Sequence, residues 1–197
     1  GRNHMFQKMS YKIANQMVRE GVIDSKIINV YAYGFELLFS TVAGILVLVV
    51  ISILGNEAFL WIPYLAGFIP IRLTGGGYHA HSHRNCIIAF ATIYFVVFNT
   101  CRTSNSHIWL IASTINLVTM FLFSPVDAKN KPLREDQRKR KRTESLFLGV
   151  INLAPSFLIY ALHLKSMEWI NMYYAGSSMA NLSLLVAVII NTLKKEE

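Results

Sequence analysis

Between two short apolar stretches the chain reads RLTGGGYHAHSHRNC, from Arg72 to Cys86. Those 15 residues hold three glycines, three histidines, two arginines and a cysteine, and nothing else in the chain is as dense in reactive groups. Cys86 opens an apolar helix. A thiol at a helix N-terminus, beside Arg84 and histidines, is expected to hold a usable thiolate population. A neighbouring imidazole that takes its proton completes the Cys–His pair of nucleophilic acyl transfer. Spacing separates the possible bases. His79 and Cys86 are seven apart, so an unbroken helix would hold them about 10.5 Å apart along its axis, and their pairing requires the backbone to bend or unwind. His83, three before Cys86, could meet it on a continuous helix. Gly75, Gly76 and Gly77 give the backbone conformations closed to other residues, which suits a tight loop or unwound helix where polar groups approach a membrane.

Two other readings of the segment stay open. His79, His83 and Cys86 could share a helical face around Zn²⁺, which accepts imidazole and thiolate, but HAHSHRNC lacks the glutamate of an HExxH site, and no metal or other cofactor is assigned. Alternatively the residues form an Arg/His-lined polar site in a non-enzymatic transporter or scaffold. Pro63, Pro70 and Pro155 fit the interrupted helices of such proteins, whereas the cluster lies at one edge of the apolar region and the two halves show no symmetry. Cys101 has no clustered base and reads as an incidental thiol.

The elements that must carry this segment are membrane helices. Hydrophobic residues make up 53% of the 197 residues and charged ones only 15%, against roughly 25% charged in an ordinary soluble domain. There are six apolar segments: Tyr31 to Leu54, Ala58 to Ile71, Ile87 to Thr100, Ile108 to Phe123, Ser145 to Leu164 and Tyr173 to Leu193. The expected fold is an all-α, polytopic membrane protein of about six transmembrane or partly re-entrant helices. Met5 to Val30 is predicted to add an N-terminal amphipathic, interfacial helix, with Lys8, Arg19 and Lys26 off its apolar face. Gly1 to His4 reads as a cloning remnant, no cleavable signal peptide is visible, and residues 5–197 are expected to form a single integral membrane domain.

Charge sets the orientation. With both termini inside, 17 of the 19 lysines and arginines fall on the inner side, leaving Arg102 and Lys165 outside, as the positive-inside rule requires. Net charge is +8. Its densest block, KNKPLREDQRKRKR from Lys129 to Arg142, lies between membrane segments, which argues for anionic lipid or an acidic peptide and against nucleic acid. Residues 124–144 are expected to form a basic cytoplasmic loop, in which Lys129, Lys131, Arg138, Lys139, Arg140, Lys141 and Arg142 could hold an acidic substrate tail.

At these residues the sequence resembles the accessory gene regulator B (AgrB) family of membrane cysteine endopeptidases. The resemblance is carried by Arg72, the glycines Gly75 to Gly77, His79-Ala80, and Cys86 seven residues after the histidine. SPVDAKNKPL, Ser124 to Leu133, is a second matching feature, and length and hydropathy agree over essentially the whole chain. The resemblance implies that Cys86 is the nucleophile and His79 the base, with Arg72 and the glycines supporting them; it assigns no role to His81 or His83. It further implies an AgrD-like propeptide as substrate, removal of its C-terminal part at the cytoplasmic face of the bacterial membrane, closure of a thiolactone for quorum sensing, and a homodimer.

Overall fold

The structure is a computed structural model that describes residues 4–76, 83–101, 105–126, 134–162 and 167–193. Among these residues all regular structure is helical. The elements are α1 (His4–Arg19), a short 3-10 turn (Ser25–Ile27), α2 (Ile28–Leu54), α3 (Trp61–Gly75), α4 (His83–Cys101), α5 (Ser106–Phe123), α6 (Glu135–Ala161) and α7 (Glu168–Leu193). Each of the six apolar segments thus seeds one helix, α2 to α7. Three stretches are long and apolar enough to cross a bilayer, Ser25–Leu54, Glu135–Ala161 and Glu168–Leu193, while the apolar parts of α4 and α5 are shorter. Leu46, Val50, Phe147, Val150 and Ile189 point outward from the long helices, an arrangement costly in water and favourable against lipid tails.

Two expectations change in detail. The N-terminal stretch is two pieces, since α1 ends at Arg19 and Gly21 turns the chain at φ 72°. The face of α1 holding Ser10 and Ala14 is wholly buried, so it packs on protein. The second change concerns the basic stretch, expected to be a loop to residue 144, which is helical from Glu135 onward. Arg, Lys, Gln and Glu are good helix formers whatever their polarity. Glu135 and Asp136 occupy the first turn, where negative charge suits the helix dipole, and the Arg134 N–H donates to Gln137 Oε1 at 3.3 Å.

The chain divides into two compact units, residues 1–51 with 80–95 and residues 52–79 with 96–197. In the first, the Tyr11 hydroxyl donates to Asn29 Oδ1 at 3.0 Å, tying α1 to the start of α2. A side chain at Gly44 of α2 would rest against Phe90 of α4.

In the second unit α3 and α7 approach backbone to backbone. A methyl group at Gly67 would overlap the Tyr173 carbonyl, and one at Gly176 would overlap the Tyr64 carbonyl; small residues at helix contacts are how membrane helices gain packing energy without a hydrophobic drive. Ile71, Met120 and Ala180 form an apolar core flanked by Phe68 and Leu148. Polar side chains join the remaining helices. Trp109 Nε1 donates to Asn171 Oδ1 at 2.6 Å, the Ser113 and Ser156 hydroxyls lie 2.6 Å apart, and Asn181 Nδ2 donates to Asn116 Oδ1 at 3.0 Å. All six residues are buried, and each such bond in lipid contributes about 0.6–2 kcal/mol.

Candidate functional site

The predicted site begins on the last turn of α3. Arg72 is half-buried there, and Gly75 ends the helix in a buried position. Gly76 leaves it at φ 80°, ψ −155°, a conformation essentially restricted to glycine. α3 therefore ends at the glycines, while the residues between His79 and His83, where pairing with Cys86 would need a bend, lie outside the described residues. A helix end leaves its last carbonyls without intrahelical donors, and two of those on α3 are met from other elements. The Val126 N–H donates to the Gly75 carbonyl at 2.9 Å. Lys141 Nζ, on α6, donates to the Leu73 carbonyl at 2.5 Å.

The segment that supplies Val126 is held in turn. α5 ends at Phe123, the Ser124–Pro125 peptide is cis, and the Ser124 N–H bonds the Met120 carbonyl at 3.1 Å. One turn on from Phe121 stands Pro125, which has no N–H to give its carbonyl. Arg142 provides the donor instead, at 3.4 Å. The buried Ser124 hydroxyl lies 2.7 Å from that of Ser145, which bonds the Arg142 carbonyl at 3.0 Å. A Cβ at Gly76 would come within 2.5 Å of the Val126 carbonyl oxygen, so the two segments meet with no space for a side chain.

Cys86 belongs to the first unit. It stands in the first turn of α4 and is exposed as a free thiol. His83 begins the same helix, three residues earlier. Gly77, His79, His81, Lys129 and Lys131 lie outside the described residues. Of the other basic residues singled out, Arg138, Lys139, Arg140 and Arg142 are exposed and Lys141 is half-buried; Arg140 pairs with Glu144 at 3.1 Å. Among the described residues no three His, Cys, Asp or Glu side chains come together as a metal-binding group.

The comparisons with known proteins decide the family. The profile of accessory gene regulator B, AgrB, matches residues 10–192. The chain belongs to the AgrB family. An AgrB-like protein of Clostridium perfringens (strain SM101 / Type A) is 26% identical over 70% of this chain and 68% of its own length. AgrB-like protein 2 of Clostridium perfringens (strain 13 / Type A) is 26% identical over 82% of this chain and 80% of its own length. A third AgrB-like protein, from Listeria innocua, is 22% identical over 61% of this chain and 60% of its own length. No solved structure matches. AgrB membership together with three helices able to span a bilayer makes this a membrane protein of the agr quorum-sensing system, in which the family is tied to the AgrD propeptide.

Sequence reasoning placed Lys141 and Arg142 with the other cations of one basic block and did not separate them by partner. The missing signal is a contact 68 residues away in sequence for Lys141. Pro125 did hold a clue for Arg142, because a proline just past a helix end orphans a carbonyl one turn back.

Proposed function

We propose that this AgrB-family protein is a cysteine endopeptidase that cleaves the C-terminal part from an AgrD-like propeptide and hands the remaining peptide on as a thioester. The observation that carries the reading is the family match, which runs through the whole Arg72 to Cys86 motif; the exposure of Cys86 in the first turn of α4 supports it. His79 takes the thiol proton, and the Cys86 thiolate attacks the scissile carbonyl. Backbone N–H groups at the start of α4 receive the oxyanion. The C–N bond then breaks, the proton passes to the departing amine, and the N-terminal part stays bound to Sγ. A cysteine within that part attacks the thioester, forms the thiolactone and releases the Cys86 thiolate. The acyl group stays activated throughout, so no nucleotide is consumed. Water must be kept out, since hydrolysis would give a linear peptide.

In this reading both termini and the site face the cytoplasm, the protein spans the membrane several times in contact with its lipid, and it works as a homodimer. The test is purified protein in vesicles with a synthetic propeptide. Cys86→Ala and Cys86→Ser should insert normally and lose cleavage by at least about 1000-fold, because serine lacks thiolate character at the same base, whereas Cys101→Ser should cleave normally. Cleavage retained by Cys86→Ala rejects the proposal.

A further inference from the structure

We propose that Lys141 and Arg142 form a two-cation clamp that positions the glycine turn of the active segment, with Lys141 as its principal positioning residue. The two residues are adjacent on α6, so their side chains diverge by about 100° around the helix, and each reaches the C-terminal end of a different helix. Lys141 bonds the Leu73 carbonyl of α3, and Arg142 bonds the Phe121 carbonyl of α5. Both acceptors belong to helix ends, where the partial negative charge favours a cation.

The two clamped ends lead into segments that touch each other. α3 runs directly into Gly75 and Gly76, and α5 into Ser124 to Val126, and these segments are joined by the Val126 N–H bond to the Gly75 carbonyl. The end of α3 is thus tied at two carbonyls and the end of α5 that meets it at a third, two of the three held by α6 side chains. α6 is itself locked to the same segment by the Ser124–Ser145 hydroxyl pair. A cation merely attracting an acidic peptide would need no such partners. Lys141 and Arg142 instead each donate to a backbone carbonyl of another helix.

The proposal rests on the reading of Cys86 and His79 as the reacting pair, and its test separates the two. Full-length protein in vesicles is compared as wild type, Lys141→Met, which keeps the stem and removes the donor, and Lys141→Arg, which restores one. Backbone hydrogen exchange of the peptide covering Leu73 to Tyr78 should accelerate about tenfold in Lys141→Met and return to within about threefold of wild type in Lys141→Arg. Propeptide cleavage should lose about tenfold or more in kcat in Lys141→Met with KM within about twofold, again rescued by arginine. Unchanged exchange, or a rise in KM at constant kcat, overturns the clamp. Faster exchange in a protein whose wild type does not cleave propeptide overturns the endopeptidase reading and leaves the clamp standing. Should Lys141→Met fail to insert, Lys141→Gln, which keeps an N–H donor without the charge, is judged by the same two measurements.

Discussion

Three histidines crowd the segment before Cys86, and their positions differ in what they demand of the backbone. His83 shares α4 with Cys86 at the three-residue spacing of neighbours on a helix surface. His79 reaches the thiol only if the chain between the two departs from a straight helix; Gly76, at φ 80°, lies upstream of that stretch. Proton transfer by a positioned base contributes typically 10²- to 10⁴-fold. With His79 as the base, His79→Ala should lose that much in kcat while His81→Ala and His83→Ala keep at least part of their activity. Single-turnover cleavage rates of the three variants check this, and a loss confined to His83→Ala would assign the base to the unbroken helix.

Among the elements, α3 and α7 show most clearly how a helix pair is specified by what is absent. Gly67 and Gly176 each face a carbonyl of the opposite helix, and a backbone oxygen cannot rotate away as a side chain can. Overpacking commonly costs about 1–3 kcal/mol, so Gly67→Ala or Gly176→Ala should destabilise by at least that amount. Gly34 on α2 has no atom near the position of an added Cβ. Gly34→Ala should be neutral or gain up to about 1 kcal/mol in helix propensity. Thermal midpoints in detergent give the comparison: a fall for Gly67→Ala beside no fall for Gly34→Ala is expected, and equal midpoints would contradict the close approach. Apolar runs marked every helix from α2 to α7, because burial in lipid or protein requires them. They were blind to the first ten residues of α6, where Glu135 to Glu144 form a helix out of charged residues that hydropathy scores as loop. They were equally blind to the buried asparagines Asn116, Asn171 and Asn181, whose partners sit on other helices.

For the molecule as a whole, charge and topology are one problem. The basic first turns of α6 carry exposed Arg138, Lys139 and Arg140, and Arg140 gives part of its charge to Glu144, a surface pair worth at most about 1 kcal/mol. Under the proposed function the cations of this surface would attract an acidic peptide tail at long range, an interaction screened beyond about 10 Å at 0.1 M salt. Replacing Arg138 and Lys139 by glutamine should raise the KM for propeptide several-fold at low salt, less at high salt, with kcat nearly constant; an unchanged KM in correctly inserted protein would assign these charges to lipid alone. The segment from Arg72 to Cys86 stood out in the sequence by residue types and spacing, and the end of α3 at its glycines was legible there. The tertiary hydrogen bonds that hold its first half were not, since Lys141 and Val126 reach it from distant parts of the chain. The most direct test of the endopeptidase mechanism is to trap the acyl-enzyme. Propeptide whose internal cysteine is replaced by alanine cannot close the ring, so wild-type protein in vesicles should accumulate a hydroxylamine-labile adduct. Its mass should equal that of the N-terminal fragment, it should map to Cys86, and it should be absent in Cys86→Ala. Cleavage without any adduct on Cys86, or an adduct that persists in Cys86→Ala, would contradict it.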